Sequence, residues 1–210
     1  MWQWLALCFI MVSGVSFAIT DMFNKETIPA PTCRLEMIGQ TDEPMLMKTR
    51  QAVANAITSK CPILVVELFS PGGPVYSSVE ISQELRRAKG RGIIVQTIGR
   101  SFVASGATLV LAAGSPGYRE IARNALVLTH GVQVSNRPFS SSMICKDLIP
   151  DPQTEDDKFH NQIITQIATE LSITTGKPLR EVLPWFCCDN TQVGDGTLAI
   201  KLGLADRIVD

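Results

Sequence analysis

Three short apolar runs, rich in β-branched residues, constrain the fold of this chain more than any other feature of its sequence. They lie at residues 62–68, 93–98 and 125–129, and their length and composition are typical of buried strands. Residues 44–59 and 75–89 precede the first and second runs and carry apolar side chains at helical spacing. Strands that alternate with helices predict an α/β fold with a largely parallel sheet.

Further strands and helices, and one long loop, are predicted toward both ends of the chain. A strand is predicted near residues 34–38, and the polar, proline-containing residues 134–158 predict a surface loop. Residues 197–210 predict a helix that ends at a glycine and is followed by a short strand. Further helices are predicted over residues 105–113, 159–171 and 177–185. A length of 210 residues suits one domain.

Residues 1–18 form an apolar segment that predicts a signal peptide. The segment ends in Ser16-Phe17-Ala18, a small-x-small pattern that predicts cleavage after Ala18. It is short for a membrane span, which needs about 20 residues, and no Lys or Arg precedes its apolar core. An uncleaved membrane anchor and a buried N-terminal helix stay open as alternatives. We expect a mature domain of residues 19–210 that is exported to the periplasm or secreted.

Cysteines are consistent with an oxidising compartment, where disulfides form. Five remain after the predicted cleavage, so at least one stays free or pairs between chains. We expect Cys33 to pair with Cys61, and Cys145 to pair with Cys187 or Cys188. If the protein is instead cytosolic, these residues are buried free thiols.

The charge balance and the residue spacings narrow the range of partners. The chain has 19 basic and 20 acidic residues, a formal net charge of −1. No basic stripe appears, so we expect no nucleic-acid partner. No CxxC pair or histidine cluster with zinc-ligand spacing occurs. We expect no metal and no cofactor.

Small or polar residues follow each of the three predicted strands. The turn Ser70–Gly73 follows the first strand, Ser105 follows the second, and His130 ends the third. Because the carboxyl ends of parallel strands lie along one edge of a sheet, we expect these residues to meet there. A serine hydroxyl becomes a nucleophile when a base such as histidine takes its proton. The N–H groups of Gly73 and Gly106 can stabilise an oxyanion beside it.

Five segments occur in one order along the chain: SPGG at 70–73, GRSFVASGATLVLAAG at 99–114, ALVLTH at 125–130, TTGKPLREV at 174–182 and LAIKLGLADRIVD at 198–210. Together they resemble the ClpP-type serine peptidases of the Clp/crotonase fold. The resemblance covers roughly residues 60–210 and implies repeated β-β-α units. With the predicted signal peptide, it implies the exported branch of that family.

The resemblance implies a role for each residue at the strand ends. Ser105 is expected to be the nucleophile, His130 its base, and the N–H groups of Gly73 and Gly106 the oxyanion hole. Gly106 departs from the family, which usually has an apolar side chain after the serine. The loop after His130 is also longer than the family pattern.

An acidic residue completes the implied site. In the family it follows the threonine–glycine element by a short helix, and the matching position here is Asp189. Its expected role is to hold one imidazole tautomer and orient the ring. The segment from Asp189 to Gly203 departs in length from the family pattern, which keeps Asp195 as an alternative.

Other polar residues are expected to have no part in catalysis. We expect His160 on a solvated helix face and the acidic residues 155–157 in solvent. Turn or surface positions are expected for Ser70, Ser77, Ser78 and the serines at 140–142.

These features predict a serine endopeptidase that hydrolyses peptides or proteins through an acyl-enzyme. A membrane-associated Ser–Lys peptidase of the same fold is an alternative, and it needs Lys146, Lys158 or Lys177 as its base. An acyl-thioester enzyme of the crotonase type and a catalytically inactive binding or assembly module are two further alternatives.

The resemblance also implies partners. It suggests a homo-oligomer whose contacts use the helix near residues 159–171. An exported protein meets no ATP, so we expect no ATP-dependent unfoldase. Membrane association through residues 1–18 is a further possibility.

Overall fold

The computed structural model describes residues 32–135 and 143–210, and nine strands lie within these ranges. The strands are β1 Thr32–Ile38, β2 Ile63–Ser70, β3 Ile94–Ala104, β4 Arg119–Ala122, β5 Leu126–Thr129, β6 Gln133–Ser135, β7 Met143–Cys145, β8 Gln192–Gly194 and β9 Arg207–Val209. Seven form one sheet in the order β1-β2-β3-β4-β9, with β5 beside β3 and β8 beside β5. All its pairs are parallel except β5 with β8. Strands β6 and β7 form a separate antiparallel pair.

Helices connect the strands, and several begin or end where the sequence supplies a cap. They are α1 Glu43–Thr58, α2 Val75–Gly90, α3 Ala107–Ala112, α4 Glu155–Thr175, α5 Leu179–Val182 and α6 Gly196–Leu202, with a 3₁₀ helix at Leu183–Phe186. Asp42 and Thr154 accept hydrogen bonds from backbone N–H groups in the first turns of α1 and α4. Gly176 and Gly203 end α4 and α6 in the left-handed conformation.

The long strand β3 has two different neighbours on one side. Residues 97–99 pair with β4, whereas residues 102–104 pair with β5. On its other side β3 pairs with β2. The second half of β3 therefore lies between β2 and β5, and all three strands end at the same edge of the sheet.

Apolar side chains from the sheet and from the helices on it form one core. The largest fully buried members include Leu64, Leu68, Ile81, Leu85 and Leu111. Burying a side chain of this kind stabilises the fold by about 1.5–3 kcal/mol. Segments with recurring apolar side chains pack into this core, which is why the apolar pattern of the sequence predicted them as strands and helices.

One of the expected disulfides is present, between Cys33 on β1 and Cys61 just before β2. Cys188 is also disulfide-bonded, and Cys187 is an exposed free thiol. The side chain of Cys145 lies outside the described side chains, so its pairing stays a prediction.

Several predicted elements differ from the structure in length. Strand β3 continues to Ala104, beyond the predicted end at residue 98, because β2 and β5 pair with the extension. Helix α3 is shorter than predicted, since Ser105 forms the turn before it. The predicted loop 134–158 contains part of the β6–β7 pair and the first turn of α4. The short strands β4 and β8 were not predicted, because too few apolar residues mark them.

Four polar residues that were expected in solvent, in a turn or on the surface are buried in strands or helices, so those predictions are wrong. Ser70 is the last residue of β2 and is fully buried. His160 is 3% exposed, and its Nε2 lies 3.1 Å from the carbonyl oxygens of Lys146 and Asp147. Ser77 and Ser78 lie on the inner face of α2. Their small side chains let the helix approach the strand ends closely, a role that residue type alone does not reveal.

The predicted signal peptide and the serines at 140–142 lie outside the described residues. Within residues 32–135 and 143–210, no helix is both long enough and apolar enough to cross a membrane.

Candidate active site

Strand register brings Ser105 and His130 to the same edge of the sheet. Ala104 lies opposite Leu128, and the Ser105 N–H donates to the Leu128 carbonyl at 2.8 Å. His130 directly follows Thr129, the last residue of β5. Backbone pairing alone therefore fixes the main chain of the predicted nucleophile next to that of its predicted base.

Ser105 lies in a turn that few side chains adopt. Its φ is +53°, in the left-handed region that is unfavourable for residues other than glycine. The Ser105 carbonyl accepts hydrogen bonds from the Thr108 N–H at 3.0 Å and the Thr108 hydroxyl at 2.7 Å. These bonds hold the turn at the start of α3. A strained strand-to-helix turn is a common way of presenting a nucleophilic hydroxyl.

The turn after β2 packs directly against the Ser105 turn. A Cβ atom at Gly72 would lie 2.7 Å from the Cβ of Ser105, and Gly72 itself has a φ of +89°. Its N–H donates to the Ser70 hydroxyl at 3.1 Å, and its carbonyl accepts from the Thr41 N–H at 3.0 Å. Only glycine fits there, and both of its backbone groups are occupied.

Two neighbouring backbone N–H groups are free for a ligand. Within the described part of the chain, the N–H groups of Gly73 and Gly106 have no hydrogen-bond partner. Both residues line the same cavity as Ser105 and His130. Their placement fits the predicted oxyanion hole.

The structure gives a physical reason for glycine at position 106, where the family usually has a side chain. A Cβ atom there would lie 2.1 Å from the Ser78 hydroxyl oxygen and 3.2 Å from that of Thr41. These two hydroxyls are hydrogen-bonded to each other at 2.7 Å. Thr41 and Ser78 therefore support the site from behind, a role that the sequence analysis missed. In the sequence, this role was marked only by the glycine at position 106, where the family usually has a side chain.

Among the described residues, one ring nitrogen of His130 has a hydrogen-bond partner and the other has none. Its Nδ1 lies 2.6 Å from the carbonyl oxygen of Gly131, and a carbonyl oxygen can only accept, so Nδ1 carries the proton. The other nitrogen, Nε2, is then the acceptor that a general base requires.

The two acidic candidates have different positions. Asp189 is exposed in the turn before β8, and it does not line the cavity. Asp195 caps α6, where it accepts from the Thr197 N–H at 2.8 Å. That backbone hydrogen bond lowers the pKa of Asp195 below its ordinary value. Neither carboxylate has a hydrogen bond to His130 within the described residues.

The cavity beside Ser105 has a volume of about 500 Å³. Its apolar walls come from α3, α4 and the 3₁₀ helix, through Leu109, Ile167, Leu171 and Phe186. No Asp, Glu, Lys or Arg is among the described residues that line it. The cavity is therefore suited to an uncharged, bulky side chain.

The lysines that a Ser–Lys mechanism would need lie elsewhere. None of the three lines the cavity. Each forms an ion pair: Lys146 with Asp157, Lys158 with Glu155, and Lys177 with Glu181. These pairs argue against a lysine base. The described residues also contain no group of three or more His, Cys, Asp or Glu side chains that could hold a metal ion.

Comparisons with known proteins agree with this architecture. Residues 50–210 match the sequence family described as Clp protease. The structure is similar to the crystal structure of the ClpP protease catalytic domain from Plasmodium falciparum, with a TM-score of 0.64, 16% sequence identity and 85% coverage of each chain. No curated protein matches the chain. The structural likeness confirms the predicted α/β fold of the Clp/crotonase type.

Proposed function

The chain belongs to the Clp protease family, and we propose that it is a serine endopeptidase with Ser105 as nucleophile and His130 as base. One observation carries this proposal. The pairing of β3 with β5 places the main chains of Ser105 and His130 at adjacent strand ends, and both residues line one cavity. The free N–H groups of Gly73 and Gly106 line the same cavity.

The proposed reaction follows from the donors and acceptors of these residues. The Ser105 hydroxyl attacks the peptide carbonyl while Nε2 of His130 takes its proton. The N–H groups of Gly73 and Gly106 stabilise the oxyanion that forms. His130 then gives the proton to the leaving amine, and a water molecule hydrolyses the acyl-enzyme by the same steps in reverse.

The structure differs from the expected mechanism in the group that orients the His130 ring. In the described conformation the Gly131 carbonyl accepts the Nδ1 proton of His130, which is the task expected of Asp189. The position of Asp189, exposed and outside the cavity, supports a serine–histidine pair that works without it. The role of Asp189 stays a prediction of the family resemblance.

The proposed site of action is outside the cytoplasm. The Cys33–Cys61 disulfide and the disulfide-bonded Cys188 support an oxidising compartment. We expect no ATP-dependent unfoldase there. Self-association through α4 is part of the proposal, since Phe159 and Ile173 of that helix are 64% and 57% exposed.

Labelling with a fluorophosphonate probe tests the proposal, because such probes react with serines that a base has activated. We expect the native full-length protein to be labelled, and the heat-denatured protein and Ser105→Ala not to be. Ser101→Ala is the matched control, since Ser101 is exposed and outside the cavity, and it should label like the unchanged protein.

A catalytically inactive binding module is the second candidate, favoured by the distance of Asp189 from the cavity. A folded protein that takes no label would support it. Labelling that survives Ser105→Ala would show that a different serine is the nucleophile.

A further inference from the structure

A hydroxyl group without a partner lies in the wall of the cavity. Thr129 is only 3% exposed, and its Oγ1 has no hydrogen-bond partner among the described residues. A buried hydroxyl that stays unpaired destabilises the fold, because its hydration is lost without a replacement hydrogen bond. Such a group persists where a water molecule or a ligand pairs with it.

Strand geometry places this hydroxyl on the side of the sheet where the apolar walls of the cavity lie. Thr129 is two residues after the buried Val127 on β5, so both side chains lie on the helix-covered face. Thr129 also lines the cavity itself. The main chain of Ser105 lies on the neighbouring strand, and neighbouring strands are about 4.8 Å apart. Thr129 is therefore within reach of a substrate side chain that enters beside Ser105.

The other threonine in the cavity wall is not available in the same way. The Thr108 hydroxyl donates to the Ser105 carbonyl at 2.7 Å. The remaining wall toward the helices is apolar, and it includes Leu109, Ile167 and Phe186. Thr129 thus supplies a buried, unsatisfied hydroxyl beside the apolar wall that the helices form.

We propose that Thr129 determines specificity by hydrogen-bonding the substrate residue whose carbonyl Ser105 attacks. The side chain that fits is neutral, bulky and hydroxyl-bearing, so a tyrosine is preferred to a phenylalanine. The inference rests on the proposed peptidase function, because that function decides which substrate residue enters the cavity.

Physical chemistry favours tyrosine over other polar residues. Its ring fills apolar space, and its one hydroxyl can pair with the hydroxyl of Thr129. Charged side chains are disfavoured because no charged residue lines the cavity. A pocket that hydrogen-bonds a substrate hydroxyl discriminates against the analogue that lacks it, since the protein group is then left unpaired.

The experiment measures binding, so that it does not depend on turnover. The full-length Ser105→Ala protein is titrated with two acetylated pentapeptide amides, Ala-Ala-Tyr-Ala-Ala and Ala-Ala-Phe-Ala-Ala. We expect the tyrosine peptide to bind about five- to tenfold more tightly, the factor that one neutral hydrogen bond provides. In Ser105→Ala with Thr129→Val, we expect that ratio to fall to about one.

Two controls distinguish the loss of the Thr129 hydroxyl from a general effect of substitution on the protein. Thr58→Val is the matched substitution, since Thr58 is exposed on α1 and outside the cavity, and it should keep the tyrosine preference. Thr129→Val should not lower the melting temperature, because the removed hydroxyl has no protein partner. A marked fall would show a structural partner and overturn the inference.

The remaining outcomes are also decisive. Equal binding of the two peptides, binding of neither, or a preference that survives Thr129→Val overturns the assignment of Thr129. Turnover of the tyrosine peptide by the unchanged protein is measured separately. A Thr129-dependent binding preference without turnover would support this inference and contradict the proposed peptidase function.

Discussion

The main chains of the proposed nucleophile and base are held in a different way from the segment that carries the predicted acid. Ser105 is fixed by a backbone hydrogen bond to β5 and by the turn after β2, which packs against it. Residues 187–191, which lead into β8, have only short turns of their own backbone, and side-chain hydrogen bonds join them to the segments before them. The Cys188 N–H donates to the Asp147 carboxylate at 2.5 Å, and the Asn190 amide donates to the Pro184 carbonyl at 2.7 Å.

This difference shows which parts of a site can be predicted from the strand pattern of a sequence. Backbone pairing does not depend on most side chains, so the ends of β3 and β5 must meet once the sheet forms. Side-chain anchoring depends on each partner, so the position of Asp189 depends on contacts that no periodicity encodes. Substitutions at the strand ends and substitutions in the segment that carries Asp189 should therefore differ in their effect on activity.

The largest contrast is expected between His130→Gln and Asp189→Asn. We expect His130→Gln to lower kcat/KM by about 10³-fold or more, because the base is lost. Asp189→Asn should lower it less than about tenfold, since the Gly131 carbonyl already holds Nδ1. The measurement is kcat/KM on one peptide substrate. A loss of about 10⁴-fold for Asp189→Asn, as for an orienting aspartate, would show that Asp189 orients His130.

A smaller effect is expected when the support behind the serine is disturbed. Gly106→Ala places a Cβ atom 2.1 Å from the Ser78 hydroxyl, and overpacking of this kind costs about 1–3 kcal/mol. Urea denaturation and the rate of fluorophosphonate labelling should both show the loss. Gly90→Ala is the control, because its Cβ atom would meet nothing within 4 Å. Adding Ser78→Gly should restore part of the stability, and no change in Gly106→Ala would refute the close contact.

Acid pH should weaken the attachment of the C-terminal strand, where Asp206, just before β9, forms an ion pair with Arg119 at the start of β4. Burial raises the pKa of Asp206, but hydrogen bonds from Arg119 and from the backbone outweigh it, so that pKa lies below its ordinary value. The ion pair therefore stabilises the fold fully above about pH 4. Its contribution is lost as the pH falls through the lowered pKa.

Thermal unfolding from pH 7 to pH 2 tests this effect. Asp206→Asn should melt at a lower temperature than the unchanged protein at pH 7, and the difference should shrink below about pH 4. Asp210→Asn is the matched control, since the Asp210 side chain is 93% exposed. A difference that stays constant with pH would contradict the assignment.

The smallest effect is expected for Asp195→Ala, which removes the cap of α6. Because a cap stabilises its own helix, we expect a small fall in melting temperature without a change in kcat/KM. Asp195→Asn should retain most of the stability, since asparagine is also a good cap. A large loss of activity with normal stability would make Asp195 the orienting acid instead.

The sequence predicted most strands and helices, because continuous apolar runs and helical spacing mark elements that pack against one core. It also predicted that Gly73, Ser105 and His130 line a common edge, since parallel strands end together. The predictions failed for His160 and Ser78, whose burial depends on which helix face meets a distant segment. Thr41 and the role proposed for Thr129 were missed, because both depend on neighbours that only the fold brings together.

The split pairing of β3 has a consequence for how such a protein can diversify. Ser105, the proposed nucleophile, is fixed by a main-chain hydrogen bond to β5, whereas the large apolar side chains of the cavity wall come from helices on another layer of the fold. Replacing Leu109, Ile167 or Phe186 changes the shape of the pocket without altering that bond. Selection for a new cleavage preference can therefore act on the helices while the reacting edge is inherited unchanged.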